Sequence, residues 1–149
     1  MKIQTVNALS YCFDLLSFIF QNQDAGKKIN SIYLFGSAVR GELQKTSDID
    51  LFVEGEKTYE EQIKSLVNSG LVKFTCSKDY QKWKLFHFTY PFSFQIGQLA
   101  EWDLKLSIAS EGILLYSKTA VPSTGQRKVL FVITYPTQKK EYIKIRRLI

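Results

Sequence analysis

SIYLFGSAVRGELQKTSDIDLFVE, residues 31–54, is the stretch on which the reading of this 149-residue chain turns. Ile32 to Phe35 is a short apolar, aromatic run that breaks at Gly36, which is how a buried strand ends. Gly36 has no Cβ, so the backbone can turn sharply there and a phosphate can come close. Ser37 stands where a helix could start, offering a hydroxyl and backbone N–H groups to an anion. Arg40 adds a cation within one turn, Gly41 follows, and Glu42 to Ser47 form a polar loop back to the sheet. Asp48 and Asp50 then come at i, i+2, which in a strand places both carboxylates on one face and Ile49 on the other, toward the core. Two adjacent carboxylates repel unless a hard divalent cation lies between them, and Mg²⁺ takes one or two carboxylates plus substrate phosphates.

Length and composition bound the rest. One domain is expected, large enough for a core without disulfides or a structural metal. The longest apolar run, Tyr11 to Phe20, is interrupted by Asp14 and Ser17 and is too short for a membrane span. The N-terminus lacks a signal-peptide cleavage pattern, so a cytoplasmic location is expected. Cys12 and Cys76 form no disulfide framework and read as small core residues. His87, the single histidine, alternates with apolar neighbours in KLFHFTY and reads as structural rather than catalytic.

Along the chain, Thr5 or Asn7 caps a helix to about Asn22, its apolar face built from Val6, Leu9, Cys12, Phe13, Leu16, Ile19 and Phe20. Asp24 to Lys28 reads as a loop. After the aspartates comes a turn, then a helix capped by Thr58 and Glu61 and ended by Gly70. Leu71 to Cys76 is a third strand candidate, and Trp83 to Tyr90 and Phe92 to Leu99 alternate like a hairpin or consecutive strands around Pro91. Glu101 to Ser110 looks helical, Gly112 closes it, and Ile113 to Tyr116 is a short strand. This order implies an α+β fold, a small mixed sheet with helices mainly on one face.

Charge divides the chain. Residues 1–117 hold twelve Lys/Arg against thirteen Asp/Glu, whereas residues 118–149 hold eight Lys/Arg against Glu141 alone. We therefore expect a core at 1–117 and a basic β-hairpin at 118–149, an extension of the same domain because about thirty residues cannot bury a core alone. Its lysines and arginines, interleaved with Phe131, Tyr135 and Tyr142, suit RNA or another polyanion, and equally suit protection of an edge strand.

Gly-Ser, ten residues, then Asp-x-Asp resembles the DNA polymerase β-like nucleotidyltransferase superfamily. The stretch is similar to its minimal nucleotidyltransferase (MNT) domain, in which the GS is followed by RG, here Arg40-Gly41, and the acidic pair by apolar residues, here Leu51 to Val53. GQLAEWDLKLSIASEGILLYSK, residues 97–118, resembles the C-terminal end of small archaeal members. The resemblance implies that Asp48 and Asp50 bind Mg²⁺ and are catalytic, that Gly36 and Ser37 bind the terminal phosphates of an NTP, ATP first, and that Arg40 neutralises them unless it is a plain surface arginine. An NMP group, AMP first, would pass to a protein or nucleic-acid hydroxyl with loss of pyrophosphate. Minimal members act as antitoxins beside a HEPN-type partner.

The same resemblance asks for a third carboxylate on a later, adjacent strand. Residues 83–99 contain no Asp or Glu, and Gln95 is the polar residue placed nearest as third ligand. Three readings stand side by side: a Mg²⁺-dependent transferase, a catalytically impaired module that binds nucleotide or RNA, and a regulator that docks a partner through its abundant aromatic residues.

Overall fold

A computed structural model describes residues 1–103 and 105–119. Four strands form one sheet in the order β3-β2-β1-β4. β1 (Ile29–Phe35) lies antiparallel to both β2 (Ile49–Gly55) and β4 (Ile113–Ser117), and β3 (Phe92–Gly97) runs parallel to β2. The sheet is mixed, and the α+β class follows.

Period-2 alternation assigns the two faces. Ile32 and Leu34 of β1 with Ile49, Leu51 and Val53 of β2 are buried against α1 (Ile3–Ile19) and α4 (Glu60–Thr75), which supply Leu15, Ile19, Ile63, Val67 and Phe74. Each fully buried aliphatic of this kind contributes roughly 1.5–3 kcal/mol, so this face is the main source of stability. The opposite face carries a smaller cluster of Phe35, Phe52 and Ile108, bordered by Tyr33, Leu99 and Trp102. Ile108 comes from α6 (Lys105–Glu111), which reaches back over β1 after a 3₁₀ turn at Leu99–Glu101.

Tyr11 of α1 explains much of the high aromatic content. It packs against Phe74, Trp83, Phe88 and Phe92, and its hydroxyl donates to the Tyr90 carbonyl at 3.1 Å. Trp83 is anchored in turn by its indole N–H, which donates to Asp14 at 2.7 Å. Phe86 is the one exposed aromatic residue among those described. The other described aromatic residues are buried in the core or half-buried against it.

Several local expectations are corrected. Asp24 to Lys28 is helix α2 (Gln23–Lys28), begun by the Asn22 side chain accepting from the Asp24 N–H and closed by Lys27 and Lys28 in its last turn. Thr58 falls inside a 3₁₀ turn, Lys57–Tyr59, and makes no cap hydrogen bond. α4 does not stop at Gly70; it continues through Leu71 to Thr75, so the expected third strand is helix. Gly70 is buried where α4 meets α1, and a Cβ there would lie 2.5 Å from Ile19 Cγ1 and 2.9 Å from its Cα. Gly70→Ala is thus expected to destabilise by about 1–2 kcal/mol despite better helix propensity, because overpacking against backbone outweighs the gain. A chemical-denaturation series checks this; a stabilised variant would mean the helices part easily.

Trp83 to Tyr90 is likewise not a strand. Ser77 caps α5 (Lys78–Leu85) by accepting from the Tyr80 N–H, and the helix closes through His87 N–H to Lys84 O (3.1 Å) and Phe88 N–H to Trp83 O (3.0 Å). That pair of bonds, with Phe88 packed on Trp83, is a Schellman ending, and His87 occupies its left-handed position at φ 53. His87 is exposed in a turn, and Cys76 is exposed at the end of α4 rather than a core residue; Cys12 is buried as expected. Among the described residues no helix is long and apolar enough to cross a membrane. The basic hairpin expected over residues 118–149 lies, but for its first two residues, outside the described residues.

Candidate active site

The glycine-serine corner forms at the end of β1. Gly36 adopts φ 75 and ψ −151, a conformation essentially reserved for glycine, and Ser37 opens the short helix α3 (Ser37–Arg40). Ala38, fully buried, ties this turn to the core, and Gly41 closes it in the left-handed region at φ 64. The chain crosses the polar loop and re-enters the sheet at Ile49, whose N–H donates to the Pro91 carbonyl at 2.8 Å.

Asp48 is exposed just before β2, Ile49 is completely buried on the α1/α4 side, and Asp50 is half-buried on the other face. A Cβ built on Gly36 would lie 2.5 Å from Asp50 Oδ2. The Asp50 carboxylate therefore rests directly against the corner. Its pKa is raised, first by burial and then by the charge of Asp48, while the Ser93 hydroxyl opposes the rise.

Register defines what surrounds this carboxylate. Asp50 pairs with Phe35 on β1 and with Ser93 on β3, so Phe35, Asp50 and Ser93 form one row across three strands. Gln95 pairs with Phe52, one pleat further from the corner. The β3 position level with Asp50 is thus Ser93, not Gln95, a relation that alternation within β3 alone could not reveal. Gln95 instead has its Oε1 buried with no hydrogen-bond partner among the described residues. Since a buried, unpaired acceptor costs free energy, Gln95→Met is expected to leave the fold as stable or stabilise it by about 1 kcal/mol. A thermal melt decides it; a clear loss would show that the amide is paired after all.

Arg40 is held at the surface, its Nε on Glu42 at 3.0 Å and its Nη1 on Glu111 of α6 at 3.4 Å. No ion pair joins it to Asp48 or Asp50 among the described residues. Sequence reasoning had no signal for the Glu111 contact, which depends on α6 folding back. Among the described residues a cleft of about 290 Å³ between Lys64, Val67, Asn68, Phe94 and Ile96 lies on the α4 side of β3 and not at the aspartates.

Two carboxylates at the end of one strand, one of them against a glycine that leaves room for a close approach, are hard oxygen donors suited to Mg²⁺ with phosphate oxygens completing its shell. Among the described residues no cluster of three or more His, Cys, Asp or Glu assembles.

Residues 16–120 match the polymerase beta nucleotidyltransferase family model. The chain belongs to that family. None of the curated proteins compared matches it. Solved structures similar to this nucleotidyltransferase domain include a toxin-antitoxin with AMP-PNP, at 16% identity over 70% of this chain and 71% of that chain with a TM-score of 0.38. A second is a protein from Sulfolobus solfataricus assigned to the nucleotidyltransferases, at 14% identity over 78% of this chain and 90% of that chain with a TM-score of 0.41.

Proposed function

We propose that the chain transfers a nucleotidyl group, AMP first among them, from an NTP to a protein or nucleic-acid hydroxyl, with Asp48 and Asp50 as its catalytic, metal-holding pair. The observation that carries this reading is the Asp50 carboxylate lying against Gly36, which brings the acidic pair and the glycine-serine corner to one place. Mg²⁺ held there would supply charge neutralisation at the transferring phosphate, the largest electrostatic demand in phosphoryl chemistry.

The chain's own residues then divide the work. The Gly36-Ser37 turn offers backbone N–H groups and a hydroxyl to the terminal phosphates, where a side chain at position 36 would intrude. Asp48, exposed, and Asp50, half-buried, would hold the Mg²⁺ that meets the phosphates; the acceptor hydroxyl attacks the α-phosphorus in line, its proton passes to solvent, and pyrophosphate leaves. Arg40 needs to leave Glu42 or Glu111 before it can reach a phosphate; both pairs are exposed, so little free energy holds it back. Residues 118–149, with their excess of Lys/Arg, are proposed as an extension that contacts a polyanion, and a HEPN-type protein is the proposed partner class.

Incubation of the full chain with α-labelled ATP, Mg²⁺ and cell extract is expected to label a macromolecule, and chelation to abolish the labelling. Absence of transfer with all four NTPs would overturn the reading. A second reading, a nucleotide- or RNA-binding module without transfer, is favoured by Ser93 standing level with Asp50 where a third carboxylate would serve. It predicts salt-dependent RNA binding that survives loss of both aspartates.

A further inference from the structure

The geometry points to Ser93 as a positioning residue, whose hydroxyl keeps the Asp50 carboxylate turned into the Gly36 corner for a divalent cation. This inference rests on the metal-holding reading above. Asp50 has two lateral neighbours in the sheet. Phe35, on β1, has nothing to donate; Ser93, on β3, is level with Asp50 in a parallel ladder and on the same face. Along β3 the residues of that face are Ser93, Gln95 and Gly97, while Phe92, Phe94 and Ile96 pack on the main core. Gly97 lies under Trp102, and Gln95 is one pleat away, so Ser93 carries the hydroxyl of this strand that stands level with Asp50.

Such a donor matters more here than in a site rich in carboxylates. With no third acidic ligand clustered beside the pair among the described residues, the direction of each Asp50 oxygen weighs heavily on affinity. A neutral hydroxyl can hold a carboxylate without adding the repulsion that a third acid would bring to Asp48 and Asp50. Polar groups that orient a ligating carboxylate typically account for a ten- to hundredfold share of metal affinity.

Titration of the full chain with Mn²⁺ alone, followed by electron paramagnetic resonance of the free ion, tests this without any turnover. Ser93→Ala is expected to weaken Mn²⁺ binding about tenfold or more, whereas Ser93→Thr, which keeps the hydroxyl and suits a strand, stays within about twofold of wild type. Circular dichroism and melting temperature confirm that each variant is folded; if the alanine chain does not fold, Ser93→Cys, near-isosteric and a much weaker donor, is expected to show the same loss. Wild-type affinity in a folded Ser93→Ala or Ser93→Cys chain, or equal weakening in Ser93→Thr, overturns the role of the hydroxyl. Asp48→Asn/Asp50→Asn is the separate arm: if it binds Mn²⁺ like wild type, the metal-holding reading itself fails, and Ser93's role with it.

Discussion

Asp50→Asn is expected to lower the proposed nucleotidyl transfer by about three orders of magnitude while leaving the chain folded. The expected size reflects loss of a charged ligand that acts on the transferring phosphate throughout the reaction, a class of change that routinely costs 10³-fold or more. The expected intactness follows from the environment. Asp50 is half-buried, its pKa raised chiefly by that burial and further by Asp48, so the folded chain holds the ionised form at some cost. The sign is definite: a carboxyl whose folded pKa lies above its unfolded value weighs against folding at neutral pH, and the burden disappears as pH falls through the folded pKa. Asparagine carries no charge and nearly the same shape.

Without metal the variant should therefore melt at or slightly above the wild-type temperature. With Mg²⁺ the order reverses, because only the wild type gains from binding, by roughly 2.7 kcal/mol at a hundredfold excess over the dissociation constant. Transfer assays and melts with and without Mg²⁺ read both halves. Undiminished transfer by the asparagine chain would remove Asp50 from the chemistry.

Gly36→Ala should damage both the fold and the site. Two independent costs coincide there. At φ 75 and ψ −151 an alanine is in a region open essentially to glycine, which costs about 1–3 kcal/mol. Its Cβ would also fall 2.5 Å from Asp50 Oδ2, so the carboxylate must leave the corner or the turn must move. The melting temperature is expected to drop by roughly 5–10 °C, and transfer to fall as far as in Asp50→Asn. Gly41 supplies the internal comparison. Its φ 64 and ψ 44 are left-handed helical, which alanine tolerates at about 1–2 kcal/mol, and its Cβ would meet the flexible Lys2 side chain rather than a site residue. Gly41→Ala should thus keep most activity. Equal behaviour of the two glycine variants would mean that backbone conformation alone, and not contact with Asp50, governs the corner.

How much was readable from the chain alone depended on range. The run Ile32 to Phe35, the break at Gly36, the helix start at Ser37 and the inward Ile49 flanked by aspartates are all settled within a few residues, because strand alternation and glycine backbone freedom are local. The errors arose where local signals had two solutions. Gly70 looks like a helix stop, yet it is small because Ile19 crosses over it. Trp83 to Tyr90 alternates like a strand, yet Ser77 begins a helix and the Trp83–Phe88 contact ends it.

The sequence by itself determined the family, the α+β class, and the identity of the corner and the acidic pair, since each rests on residue types at fixed short spacing. Only the tertiary structure decided that Ser93 rather than Gln95 stands beside Asp50, that Arg40 is held by Glu111, and that the aromatics gather around Tyr11. The physical reason is that pairing between β2 and β3, some forty residues apart, is set by how helices and strands pack together, and no periodicity within either strand encodes the register between them.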